Sequence, residues 1–180
     1  MKNSFHLGYL VLAVLLLGCQ QREIQVYTAP KDLRAIAQSE TASAAPPAWT
    51  VPEHWVPQPT TAFRVGSFEV PGTAGAADLA ISFLSGPAGG VLSNINRWRG
   101  QLQLPPTDEE GLKSLTRVLR IGEDSILMVT LTSADLQTRI VVAIWEKPDG
   151  AWFFKLMGPL PTLVQEEAVF SQFLGSVVWP

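Results

Sequence analysis

Thr138-Arg139-Ile140-Val141-Val142-Ala143-Ile144-Trp145-Glu146, Lys147-Pro148-Asp149-Gly150 and Ala151-Trp152-Phe153-Phe154-Lys155-Leu156-Met157 are consecutive stretches of this chain. The outer two are rich in β-branched and aromatic residues, which suit a pleated surface. Between them, Pro presets φ for a turn, Asp bonds its neighbouring backbone, and Gly takes up positive φ without steric cost. The reading is two antiparallel strands joined by a tight turn. Upstream, Val118 to Ile121 and Ile126 to Thr132 share this composition and are bounded by turn signals, which predicts two more strands. Downstream, Gly158-Pro159-Leu160-Pro161 ends the sheet, and Thr162 with Gln165 predicts the cap of a last helix through Leu174. On that helix Val169, Phe170, Phe173 and Leu174 form one apolar stripe, while Gln165, Glu166 and Glu167 lie near its start, where negative charge is favoured.

Further toward the amino terminus, Phe63 to Val70 and Leu79 to Leu84 alternate as strands, connected through Pro71-Gly72-Thr73-Ala74-Gly75. Gly86-Pro87-Ala88-Gly89-Gly90 then opens a helix in which Leu92, Ile95, Trp98 and Leu102 recur at steps of three and four. Pro105-Pro106 stops it, and Thr107 with Glu110 predicts a capping box for a short helix through Leu112 and Leu115. Trp49, Pro52, Trp55 and Pro57 form a Pro-rich aromatic lead-in, expected to pack over one edge of the domain rather than pair, since Pro removes ladder donors. Strands grouped with helices in this way predict one α+β domain over 49–180, a largely antiparallel sheet covered by helices.

The chain has 180 residues, 47% hydrophobic and 16% charged, which accommodates one ordinary domain and excludes a mainly disordered chain. With 13 basic residues against 16 acidic ones there is no electrostatic case for nucleic acid binding. A single Cys excludes a disulfide framework and a Cys-based zinc site, and no cofactor motif is present.

Residues 1–18 read as a signal peptide: Lys2, an apolar run from Leu7 to Leu17 too short to span a bilayer, then a small residue. Leu16-Leu17-Gly18-Cys19 resembles the lipobox of bacterial lipoproteins, although a smaller residue than Leu17 is usual at its position. The resemblance implies cleavage before Cys19, a diacylglyceryl thioether on its sulfur and acylation of the new amino terminus. More than one acyl chain suffices for stable anchoring. Lipoprotein sorting further implies that Gln20, where inner-membrane proteins tend to carry Asp, favours the outer membrane, facing the periplasm. Within 19–48, the Ala, Ser, Thr, Gln and Pro of Ala35 to Pro47 predict a flexible tether.

Two further resemblances concern the domain. Trp152-Phe153-Phe154-Lys155-Leu156-Met157-Gly158, with Phe170-Ser171-Gln172-Phe173-Leu174 and Ser176-Val177, is similar to the end of Mog1/PsbP-like domains, which implies an α/β/α sandwich around an antiparallel sheet. Gly89-Gly90, Asn94, Arg97-Trp98-Arg99 and Gln101, with Tyr27-Thr28-Ala29-Pro30-Lys31, resemble a family of bacterial lipoproteins, a likeness that implies location and fold but no activity.

The most distinctive chemistry lies on the Gly89 to Gln101 helix. Asn94, Arg97, Trp98 and Gln101 fall at i, i+3, i+4 and i+7 and share one side, and the Gly-rich approach leaves backbone N–H groups at the helix start facing an anion. One reading is a small polar surface for a carboxylate, a phosphate or a partner backbone. The other has Gly89-Gly90 allowing a tight turn, Trp98 anchoring the helix and the polar groups tying down the loop. The second is favoured, because Trp98 continues the stripe of Leu92 and Ile95. Lys155, between Phe154 and Leu156, is either a buried amine with a lowered pKa or a side chain on the solvent face of a half-covered sheet. Asp108-Glu109-Glu110 reads as a solvated first helical turn, and His54 has no metal-ligand partner at useful spacing. The expectation is a lipid-anchored envelope protein, not an enzyme, that binds a partner protein or stabilises an assembly. The alternative is a small anionic-ligand-binding protein or enzyme built on Asn94, Arg97, Gln101 and Lys155.

Overall fold

The two runs that flank Pro148-Asp149 pair as expected, and they do so in the middle of the sheet. The computed structural model describes residues 46–180, so the signal peptide, Cys19 and all but the end of the tether lie outside the described residues. Within them the order is β1 (Val56–Pro57), β2 (Gly66–Val70), β3 (Ala77–Ser85), α1 (Val91–Gln101), α2 (Glu109–Leu115), β4 (Thr116–Ile121), β5 (Asp124–Thr132), β6 (Thr138–Lys147), β7 (Gly150–Pro159) and α3 (Leu160–Gly175). All seven strands join one antiparallel sheet in the order β1-β2-β3-β7-β6-β5-β4. Two meanders, β1-β2-β3 and β4-β5-β6-β7, thus meet where β3 pairs with β7, and α1 and α2 carry the chain from one meander to the far edge of the other.

Helices cover both faces, giving an α+β fold of three layers. On one face α3 places Leu163, Phe170, Phe173 and Leu174 against Leu79 and Ile81 of β3, Trp145 of β6, and Phe154 and Leu156 of β7. On the other, Ile95, Trp98 and Leu102 of α1 pack on Leu131 of β5, Ile140, Val142 and Ile144 of β6, and Phe153 of β7, with Leu112 and Leu115 of α2 beside them. β6 and β7 are therefore buried on both sides, which is why they read as near-continuous apolar runs.

Several local expectations are corrected. The strand expected from Phe63 begins at Gly66, because Thr61 and Arg64 close a turn with two backbone hydrogen bonds of 3.1 and 3.2 Å. The helix stripe is Val91, Ile95, Trp98 and Leu102, and Leu92 is not part of that core cluster. The cap of α2 is Asp108, whose carboxylate accepts from Gly111 N at 2.9 Å, while Thr107 instead exchanges backbone hydrogen bonds with the Asn96 amide. Helix α3 starts at Leu160 rather than after Thr162, because Pro161 fits the first turn, where its missing N–H costs nothing. Thr162 is fully buried inside that helix and its hydroxyl donates to Gly75 O at 2.8 Å.

The lead-in differs most. It packs on the α3 face, with Trp49 edge-on to Phe154 and Phe173 and Trp55 5.0 Å from Phe173, and at the sheet edge Val56–Pro57 pair with β2, which was not expected of a Pro-rich segment. Glu166 is buried beneath it: its carboxylate accepts from the Trp55 indole at 3.0 Å and meets His54 Nε2 at 3.0 Å. The neighbouring groups satisfy a buried acid that would otherwise cost several kcal/mol.

Candidate functional site

Because α1 sits over β5, β6 and β7, the β2–β3 half of that face has no helix above it among the described residues, and polar side chains occupy the ground beside α1. The sequence-derived candidates separate at this boundary. Asn94 and Trp98 belong to the packing. Asn94 is buried, and its amide donates to Ala88 O at 2.7 Å and Gly90 O at 2.9 Å. These bonds hold a turn in which Ala88, Gly89 and Gly90 all have positive φ; the Asn side chain gives Ala88 O its partner and adds a second donor to Gly90 O, which also accepts from Asn94 N at 3.2 Å. Trp98 is buried edge-on to Phe153, with ring centroids 6.0 Å apart. The start of α1 has Gly90 as its cap, without a side-chain hydrogen bond, and the hollow beside it is lined by both Glu146 and Lys147, so it holds no positive excess for an anion. The anion-facing helix start expected from the Gly-rich approach is therefore not favoured.

Arg97, Gln101 and Lys155 belong to the open side. They line a cleft of about 250 Å³ together with Arg64, with Trp98 and Phe153 as its apolar wall and Phe63 on its rim. Gln101 Oε1 accepts from Lys155 Nζ at 3.2 Å. Arg97 Nη2 donates to Asn94 Oδ1 at 2.8 Å, and its guanidinium lies 6.0 Å from the Trp98 ring. Arg64 is held by Asp78 through a two-pronged contact of 2.9 and 2.7 Å, which keeps its pKa raised. Among the described residues neither Arg97 nor Lys155 forms an ion pair.

Both readings of Lys155 have a share in the truth: the side chain is half-buried on the partly covered face. Burial lowers its pKa below the ordinary 10.5, and the Arg64 and Arg97 cations act in the same direction against the opposing pull of Asp78. The unfolded chain then binds the proton more readily, so this residue opposes folding while protonated and the opposition fades as the pH rises through the folded value to 10.5. Lys155→Met is expected to melt above the wild type at pH 7, with the difference shrinking in melts repeated toward pH 10.

The division between packing and open residues is itself testable by chemical denaturation. Asn94→Ala, which removes the side-chain bonds to Ala88 O and Gly90 O and leaves Gly90 O only its Asn94 N–H, is expected to cost about 1–2 kcal/mol. Arg97→Ala, at an exposed position, is expected to change stability by no more than about 0.5 kcal/mol.

Sequence reading missed Arg64, Asp78 and Phe63. No local signal joins Arg64 to Asp78, since their meeting depends on the register in which Glu69 faces Asp78 across β2 and β3. A wider groove of about 840 Å³ shares Arg64 with the cleft, but Glu69 and Asp78 line it and give it no positive excess. Among the described residues there is no group of three His, Cys, Asp or Glu placed to hold a metal, and no helix long and apolar enough to cross a membrane.

No family model matches the chain, and no curated protein matches it. Solved structures that align with it include a Bacteroides thetaiotaomicron protein, with a TM-score of 0.44 and 12% identity over 73% of this chain and 44% of that one. Another is a Pseudomonas aeruginosa protein of unknown function, with a TM-score of 0.42 and 15% identity over 72% of this chain and 89% of that one. This chain thus spans less than half the length of the Bacteroides protein.

Proposed function

We propose that this protein is a lipid-anchored component of the cell envelope whose domain binds a small anion in the cleft beside α1, in a binding rather than a catalytic role. The observation that carries the proposal is the convergence of Arg97 and Lys155 on one cleft with no carboxylate bonded to either among the described residues. Two cations that share a partly dry site repel each other, and an anion between them relieves both the repulsion and the desolvation of the amine. A small cleft with donors from several elements suits a small group better than the docking of an envelope protein, the other role considered from the sequence. The anchor follows from Leu16-Leu17-Gly18-Cys19, with lipid on Cys19 and Gln20 directing the domain to the periplasmic side of the outer membrane.

Two measurements test this reading. Metabolic labelling with a palmitate analogue is expected to label the wild type and not Cys19→Ser; an unlabelled, freely secreted wild type would remove the anchor. Calorimetric titration of the full chain in detergent with small organic and inorganic anions is expected to give saturable binding that Arg97→Gln weakens at least tenfold. Absence of binding by every anion at millimolar concentration would remove the site.

A further inference from the structure

We infer that the group this cleft takes is a phosphate monoester carried on an apolar body, rather than a carboxylate. The inference rests on the anion-binding reading above and sharpens it in three ways. The first is the direction of the donors. A carboxylate is planar and is matched best by the two parallel N–H bonds of one guanidinium. That pairing is already made here, by Arg64 with Asp78 at 2.9 and 2.7 Å. Of the remaining donors, the Arg97 guanidinium already donates through Nη2 to Asn94 Oδ1 at 2.8 Å, and the others come singly from different side chains. Arg97 and Gln101 approach from α1 and Lys155 from β7, with the Lys155 ammonium 3.2 Å from the Gln101 side chain. Donors from separate elements suit a tetrahedral group with three terminal oxygens, and a lysine serves phosphate as a point charge.

The second is charge. Arg64, Arg97 and Lys155 against Asp78 are three cations to one carboxylate, an excess of two. A phosphate monoester carries about 1.5 to 2 negative charges at neutral pH and cancels that excess, whereas a single carboxylate leaves about half of it. The third is the wall. Trp98 and Phe153 form one side of the cleft and Phe63 stands on its rim, 78% exposed. An exposed Phe beside a ring of donors offers apolar surface to whatever the phosphate is attached to, which inorganic phosphate would leave unused.

Two sources supply such a group, a soluble phosphate monoester and the headgroup of phosphatidic acid. Calorimetry on the full chain in neutral detergent with phenyl phosphate, phenylacetate and inorganic phosphate tests the class. Phenyl phosphate is expected to bind at least tenfold more tightly than either of the others. Arg97→Gln and Lys155→Met are each expected to weaken it tenfold or more while the far-ultraviolet spectrum stays that of the folded chain, and Phe63→Ser to reduce its advantage over inorganic phosphate. If phenylacetate binds as tightly as phenyl phosphate, the phosphate assignment is overturned and the anion site stands. If none of the three binds, both fall. Short-chain phosphatidic acid added in competition distinguishes the sources: displacement of phenyl phosphate supports a lipid headgroup, while its failure with phenyl phosphate still bound supports a soluble monoester.

Discussion

Phe154→Ala is expected to lower the unfolding free energy by about 3–5 kcal/mol, the largest loss of any single substitution considered. Phe154 lies at the centre of β7 and is fully buried. Its ring stands 6.4 Å from Trp49, 6.3 Å from Trp145 and 6.2 Å from Phe173, each centroid to centroid. One side chain therefore joins the lead-in, β6 and α3, and its removal leaves a void among three large rings that cannot all move into it. Domains of this size are stable by about 5–15 kcal/mol, so the variant should be marginal at room temperature. Guanidinium denaturation gives the number directly, and a loss below about 1 kcal/mol would show that the α3 face is not packed as described.

Gly150→Ala is expected to cost at least about 2 kcal/mol. Gly150 ends the Pro148-Asp149 turn at φ 157 and pairs with Lys147 on one side and Ser85 on the other. A Cβ there would overlap Leu84 O and lie 2.8 Å from the Phe83 ring, so the β3 backbone has to move. Gly122 supplies the control: it closes the β4–β5 turn at φ 58 with nothing near a built Cβ, so Gly122→Ala carries only the cost of left-handed backbone, about 1–2 kcal/mol. Thermal melts of the two variants should rank Gly150→Ala as the more damaged, because strand pairing as well as turn conformation is disturbed.

The same glycine shows what sequence can and cannot tell about this fold. The hairpin was legible because Pro148, Asp149 and Gly150 each specify local backbone, and a turn is settled by its own residues. The pairing of β3 with β7, which makes Gly150 a contact point, was not, since nothing local to Ala77–Ser85 records which distant strand it meets. Helix α1 was legible from the spacing of Ile95, Trp98 and Leu102 on one face. Which of its polar residues face the loop and which the cleft was not, because Asn94 and Arg97 share a side at i and i+3 and only the Ala88 to Gly90 turn separates their roles. The burial of Glu166 was not legible for a related reason. This residue lies in the first half of α3, where charge is ordinarily solvated, and only the tertiary position of Trp55 and His54 makes burial tolerable there. In the cleft, Lys155 and Gln101 were legible as residues but not as neighbours, and Arg64 entered only through the register of β2 on β3.

The central claim is that Arg97 and Lys155 face an anion. The Lys155 amine is the most direct reporter, since burial holds its pKa below 10.5 and the neighbouring guanidinium cations add to the shift. Nuclear magnetic resonance of the Lys155 side chain, followed against pH with and without phenyl phosphate, measures that environment at one atom. An anion in the cleft favours the charged amine, so the titration midpoint is predicted to rise on addition of ligand and to rise less in Arg97→Gln. A midpoint that stays where it was at saturating phenyl phosphate would contradict the account.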